Sequence, residues 1–228
     1  MNLKAYCQPK IKPHVGTVSY ESFVRSKKHL DIESFVLNQK DKIKFDLTML
    51  ELFSNAFAEY EVTNPVSINV FSNSFYSDVF IKNCERIVNN FKFNLEITEH
   101  EKIHDLKKAK EAMIYLQELG IECSLDDFGK GYSTASTLKN LPFREVKIDK
   151  SLVRQVCDSK SMRERLKCIK RMACDLGVGR VVYEGIESQT LEDIILNLDN
   201  DAIFQGYFYA RPKPINEVFR LNIPTQVA

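Results

Sequence analysis

The sequence predicts an α/β fold, a modified TIM-like (β/α)8 barrel with one antiparallel strand. Three observations carry this expectation. Apolar, β-branched segments alternate with amphipathic helical patterns along almost the whole chain, which argues for βα units around a parallel sheet. The link between the first two strands is too short for a parallel crossover, so those two form a hairpin. Oxygen-bearing side chains collect at the carboxyl ends of the strands, the face on which barrels of this kind build their sites.

Taken in order, Leu3 to Ile11 reads as the first strand and Thr17 to Val24 as the second, with only Lys-Pro-His-Val-Gly between them. Strand three is Val66 to Phe71, strand four Phe93 to Ile97 and strand five Ile121 to Leu125. Strand six is Glu145 to Ile148, strand seven Arg180 to Glu184 and strand eight Ala202 to Tyr207. Spaced Ile, Phe, Leu and Met make Asp31 to Tyr60 helical. Apolar residues at three- and four-residue spacing do the same for Asp78 to Phe91, Ile103 to Leu119, Ser161 to Leu176 and Thr190 to Leu198.

Composition fits one such barrel. A chain of 228 residues with 44% hydrophobic content can bury a single large core, so residues 1–228 are expected to form one domain without a sensory or membrane domain. The formal net charge of +1 gives no basic field for nucleic acid, and no DNA partner is expected. The start, MNLKAYCQPK, lacks an apolar run of signal-peptide length, and nothing reaches the length of a membrane span. A cytoplasmic location without membrane insertion follows as the expectation. The six cysteines show no Cys-x-x-Cys pair and read as reduced structural thiols.

Glu21, Asn69, Glu96, Asp126, Asp127, Lys147, Glu184 and Gln205 all stand at or near strand carboxyl ends. Gathering carboxylates costs energy unless a hard cation sits among them, so the pattern points to a metal-dependent enzyme. Asp126 and Asp127 end strand five, and the glycines at 129 and 131 let the next loop turn tightly; a solvated acidic turn is the plainer alternative. Glu96 alternates with Leu95 and Ile97, so it faces into the barrel, where a carboxylate needs a partner or a ligand. Lys147 also lies on an alternating strand. There it either neutralises the acids in a structural ion pair or orients and deprotonates a water.

Taken together and in order, these segments resemble the EAL-domain cyclic di-GMP phosphodiesterases. The stretches are Tyr6-Cys-Gln-Pro, Glu21-Ser-Phe-Val-Arg25, Ile68-Asn69-Val, Leu95-Glu-Ile-Thr-Glu99, Asp126-Asp-Phe-Gly-Lys-Gly-Tyr-Ser133, Leu141-Pro, Val146-Lys-Ile-Asp149, Glu184-Gly-Ile-Glu187, and Gln205-Gly-Tyr through Arg211-Pro212. The resemblance implies hydrolysis of cyclic di-GMP to linear pGpG. Glu21, Asn69, Glu96, Asp126, Asp127, Glu184 and Gln205 would hold the metal. Glu21, Lys147, Glu184 and Asp127 would serve catalysis, Gln8, Arg25 and Asp149 would bind substrate, and Glu99 would anchor the loop after strand five. An all-oxygen shell implies one or two Mg²⁺ or Mn²⁺ ions, with Ca²⁺ inhibitory. A homodimer is implied too, with a regulatory protein partner left open. The alternative, from another class, is a catalytically silent relative that acts as a cyclic di-GMP receptor or protein-binding regulator.

The chain departs from the family pattern in places. The signature triplet is Glu21-Ser-Phe, Phe71 stands where a small serine is usual, and Tyr183 replaces the small residue before Glu184. The Glu21 to Asn69 stretch is short. A competing motif, His100-Glu101-Lys102-Ile103-His104, spells His-Glu-x-x-His. It would hold zinc only if both histidines shared a helix face. Lys110 stands where a third histidine ligand would be, so an exposed, polar helix start is expected instead.

Overall fold

The computed structural model describes residues 3–29, 31–98 and 100–220. β1 (Leu3–Lys12) and β2 (Gly16–Ser26) form the expected antiparallel hairpin. Its turn needs left-handed backbone at His14 (φ 65°) and Gly16 (φ 100°). The parallel strands follow: β3 (Val66–Val70), β4 (Phe93–Ile97), β5 (Cys123–Phe128), β6 (Glu145–Ile148), β7 (Arg180–Glu184) and β8 (Ile203–Gln205). Each pairs with its predecessor, and β8 meets β1 antiparallel at Ile11 and Phe204, which closes an eight-stranded barrel with one reversed strand. A short strand, β9 (Lys213–Pro214), covers the part of β1 beyond the reach of β8, pairing with Tyr6 and Cys7.

The helices are α1 (Ile32–Leu37), α2 (Lys42–Phe57), α3 (Asp78–Ile87), α4 (Leu106–Glu118), α5 (Ala135–Asn140), α6 (Lys150–Arg154), α7 (Lys160–Asp175) and α8 (Gln189–Leu196). The stretch from Asp31 to Tyr60, expected as one helical segment, is two. Asp31 caps α1 by accepting from the Ser34 amide, and Asp41 caps α2 by accepting from Lys44, so a fresh start interrupts the run. Helix α4 begins at Leu106 rather than Ile103, because Asp105 caps it through the Lys108 amide. The short helices α5 and α6 have too few turns to leave a periodic signature. No helix among the described residues is long and apolar enough to cross a membrane.

The hydrophobic core lies between the barrel and its helices. Ile68, Leu95, Leu125, Val146 and Val181 point outward from their strands and meet Phe53 and Phe57 of α2, Phe80 of α3, Met113 and Leu116 of α4, Leu166 of α7 and Ile195 of α8. Strand alternation then turns the intervening polar residues inward. Ser67, Glu96, Ser124, Glu145 and Lys147 are all buried within the barrel.

Tyr183, one of the departures noted in the sequence, belongs to the outer layer. Its hydroxyl donates to Asp199 Oδ2 at 3.0 Å, and Lys170 Nζ holds the same oxygen at 3.0 Å. The ring therefore fills space behind β7 while Glu184 faces the opposite way. Tyr183→Phe should lower the unfolding free energy by about 1 kcal/mol, the net worth of one buried hydrogen bond. Urea unfolding checks this, and a gain in stability would show that the Tyr183–Asp199 bond contributes nothing.

Candidate metal centre and active site

The eight strand-end residues form one contact network at the mouth of the barrel. At its centre is the Lys147 ammonium on β6. Its Nζ lies 2.9 Å from Glu21 Oε2, 2.8 Å from Glu96 Oε2, 2.9 Å from Asp126 Oδ1 and 2.8 Å from Glu184 Oε1. Those acids come from β2, β4, β5 and β7, so only a closed barrel can bring them to one atom.

The two carboxamides join through Glu21. Asn69 Nδ2 donates to Glu21 Oε1 at 2.8 Å. Gln205 Nε2 donates to Glu21 Oε2 at 2.7 Å and to Gln8 Oε1 at 3.1 Å. Gln8 is level with Glu21 because β1 runs in reverse, and its own Nε2 donates to the Ala210 carbonyl at 2.8 Å. Both carboxamides thus spend their nitrogens within the network, which leaves carbonyl oxygens for a cation.

Asp127 reaches the same cluster by an unusual backbone. Successive strand residues point to opposite faces. Here β5 shifts register against β6 between Leu125 and Phe128, and Asp127 takes a left-handed φ of 46°. Its amide donates to Asp126 Oδ1 at 3.0 Å. The turn brings carboxylate oxygens of Asp126, Asp127 and Glu184 within 4.8 Å of one another. A non-glycine residue in this region carries strain of about 1 kcal/mol or more, the kind of cost found at functional sites.

The network grades its charges. Burial alone would push the Lys147 ammonium down, but Asp126, Glu184, Glu21 and Glu96 together hold it well above the usual lysine range. Burial, with Glu96 and Asp126 as like-charged neighbours, pushes Glu21 up. Burial likewise raises Asp126 to about 6, helped by Glu184 and Glu96 and opposed by Lys147. Glu96 goes the other way: its burial is outweighed by two ammoniums, Lys10 and Lys147, which hold it well below the usual carboxylate range.

Other sequence-predicted residues lie elsewhere. Arg25 is exposed at the mouth end of β2, with Nη1 donating to the Val24 carbonyl at 3.0 Å. The Asp149 carboxylate is enclosed: it caps α6 through the Ser151 amide at 2.8 Å and pairs with Lys130 at 2.6 Å. Lys130, on the loop after β5, also lies 3.6 Å from Asp127. Glu99, the expected loop anchor, lies outside the described residues. Phe71 turns away from the mouth, its ring edge-on to Phe45 and under Lys42 Nζ at 4.8 Å, while its amide donates to the buried Asp46 carboxylate at 2.9 Å. The His100–His104 segment precedes α4 as turn and loop, so its histidines share no helix face. Glu101 is paired with Lys42 there.

Sequence reasoning passed over Lys10 and Glu145. Lys10 is fully buried two residues along β1 from Gln8, and Glu145 sits two residues before Lys147. The period of two that brought Lys147 inward applies to both.

A hard divalent cation fits this site. The donors are carboxylate and carboxamide oxygens, acids outnumber ammoniums, and buried Gln205 Oε1 has no hydrogen-bond partner.

The fold is shared with solved structures. The standalone EAL protein of Vibrio cholerae O395, in its c-di-GMP bound form, has a TM-score of 0.79 at 24% identity, over 92% of both chains. Klebsiella pneumoniae BlrP1, as a manganese and cyclic di-GMP complex, gives 0.80 at 24% identity over 93% of this chain and 56% of that one. Among curated relatives, signaling protein YkoW of Bacillus subtilis is 30% identical over 168 residues, covering 71% of this chain and 21% of that protein. The cyclic di-GMP phosphodiesterase PdeL of Escherichia coli is 32% identical over 157 residues, covering 67% and 43%. The chain therefore spans less than half the length of either relative. The EAL domain model matches residues 3–212, which include the whole barrel, and the chain belongs to the EAL domain family.

Proposed function

We propose that this chain is a metal-dependent phosphodiesterase that hydrolyses cyclic di-GMP to linear pGpG. The observation that carries this reading is the convergence of four carboxylates on Lys147 with none of the strand-end acids missing. A silent receptor gains nothing from such a cluster. Two like charges 4 Å apart repel by about 4 kcal/mol at an effective dielectric of 20, and a ligand carrying two phosphodiesters would be repelled as well. The arrangement makes sense when a divalent cation reconciles the acids with the phosphate.

Glu21, Asn69, Glu96, Asp126, Asp127, Glu184 and Gln205 would hold Mg²⁺ or Mn²⁺, which when bound neutralises phosphate charge and makes water a competent nucleophile near neutral pH. In the metal-free site the surrounding acids hold the Lys147 ammonium charged, which favours a donor that orients the carboxylates and offsets charge over a base. Gln8 and Arg25 line the mouth, where they can meet the guanine and phosphate groups of the substrate. The contacts of Asp149 with Lys130 favour a part in holding the loop after β5. NbdA of Pseudomonas aeruginosa, 33% identical over 121 residues, and PdeL are both cyclic di-GMP phosphodiesterases by name, which supports the same substrate.

Turnover is tested directly by separating pGpG from cyclic di-GMP after incubation with Mg²⁺ or Mn²⁺. Glu21→Gln and Asp126→Asn should each reduce it by more than about 100-fold, since even residues behind a metal ligand are worth about 10–100-fold. Ca²⁺ should inhibit. Tight cyclic di-GMP binding without turnover in the unaltered protein would favour the receptor instead. Lys147→Ala should lower kcat severely while leaving substrate affinity within a few-fold, as expected for a group used mainly in the transition state. A loss confined to affinity would contradict that role.

Metal loading should also depend on pH. With the Asp126 carboxyl at about 6, a proton must leave before that oxygen can ligate. Mn²⁺ affinity should be level above that pH and fall by up to about tenfold per unit below it. Calorimetry between pH 5 and 7.5 measures this, and a flat affinity across the range would refute it.

A further inference from the structure

We propose that Lys10 is a positioning residue that sets which divalent cation the site accepts, by restricting Glu96 to a single ligating oxygen. The inference rests on the metal-dependent reading above and concerns a residue outside the strand-end set.

Lys10 Nζ lies 2.6 Å from Glu96 Oε1, 2.6 Å from Glu145 Oε1 and 3.1 Å from Ser67 Oγ. An ammonium has three protons, so these three acceptors saturate it. The side chain is fully buried. Glu96 is equally enclosed, and its other oxygen faces Lys147 at 2.8 Å. The two oxygens of Glu96 therefore have different allegiances. Oε1 is committed to Lys10 on the barrel-floor side, and only Oε2 faces the acids at the mouth.

Charge balance alone does not account for Lys10. Glu145 has a second cation in Arg180, whose Nε lies 3.1 Å from its Oε2. Burying an ion pair costs desolvation, and apolar residues in such a place are often neutral or stabilising. What an apolar residue cannot do is occupy Glu96 Oε1. The consequence is chemical. Mg²⁺ and Mn²⁺ are small and near-octahedral and take one oxygen from each carboxylate, whereas Ca²⁺ accepts more ligands and readily takes both oxygens. Holding Glu96 to one oxygen works against Ca²⁺.

The ratio of Mg²⁺ to Ca²⁺ affinities isolates this effect, because both ions are divalent and a changed charge at position 10 moves both together. Calorimetric titrations would compare the unaltered protein, Glu145→Gln, and Lys10→Met combined with Glu145→Gln, which preserves the net charge of the interior. Glu145→Gln should leave the ratio within about two-fold of the parent. The double variant should shift it toward Ca²⁺ by about tenfold or more, the low end of what a partner of a metal ligand is worth. An unmoved ratio in the double variant, or an equal shift in Glu145→Gln alone, would overturn the proposal. Should the double variant fail to fold, a crystal structure of the unaltered protein with Mn²⁺ decides. Glu96 should ligate through one oxygen with Lys10 retained on the other, and a bidentate Glu96 overturns the idea. If the unaltered protein binds neither cation, the metal-dependent reading falls and this one with it; binding with an unmoved ratio removes this one alone.

Discussion

The Lys147 ammonium is the constraint on which the rest depends. Glu21, Glu96, Asp126 and Glu184 would repel one another if brought together without it. At an effective dielectric of 20 each close pair costs about 4 kcal/mol, several times the net worth of about 1 kcal/mol of a buried hydrogen bond. One cation on β6 can serve four acids only if β2, β4, β5 and β7 all end around it, which requires the sheet to close. Closure in turn depends on β1, the reversed strand, which pairs with both β2 and β8. The hairpin turn at His14 and Gly16 is therefore tied to the site by geometry, although neither residue stands at a strand's carboxyl end.

A polar interior moves the burden of stability outward. Lys10, Ser67, Glu96, Ser124, Glu145 and Lys147 fill the barrel, so apolar burial must come from the layer between strands and helices. That layer is rich in rings: Phe53, Phe57, Phe91 and Phe93 stack in succession at centroid distances of 5.3–6.1 Å. Such pairs add about 0.5–1.5 kcal/mol each beyond area burial. The division separates two demands on the sequence. Outward positions of a strand answer to packing, and inward ones to charge. Tyr183 and Glu184 show it within two residues, one bonded to Asp199 behind the sheet and the other to Lys147 within it.

The same division governs what could be read from the sequence. Strands with apolar outward residues and acids at their ends were legible, because alternation and end position both leave a pattern. Tyr183, flagged as a departure beside the site, is explained by its face rather than its position in the chain. Lys10 and Glu145 obey the same alternation, yet a lysine in the stretch Pro-Lys-Ile-Lys reads as solvated surface until the barrel encloses it. The left-handed turn at Asp127 was not legible either. It belongs to a bulge between β5 and β6, a property of two strands rather than of the Asp-Asp pair. The His-Glu-x-x-His motif matched in letters and failed in geometry, since Asp105 starts the helix beyond it.

The graded carboxylates connect these features to the chemistry. Glu96 touches two ammoniums and stays an anion, whereas Glu21 and Asp126 share one with two other acids and are drawn toward their protonated forms. Protonation is therefore favoured at Glu21 and Asp126 rather than at Glu96. To hold a divalent cation, Glu21 and Asp126 would have to be deprotonated, whereas Glu96 is already charged and held by Lys10 from beneath. In the metal-free site the same acids hold Lys147 charged. The interior ammoniums thus have distinct tasks: Lys147 makes it possible for the acids to meet, and Lys10 decides which Glu96 oxygen faces the mouth.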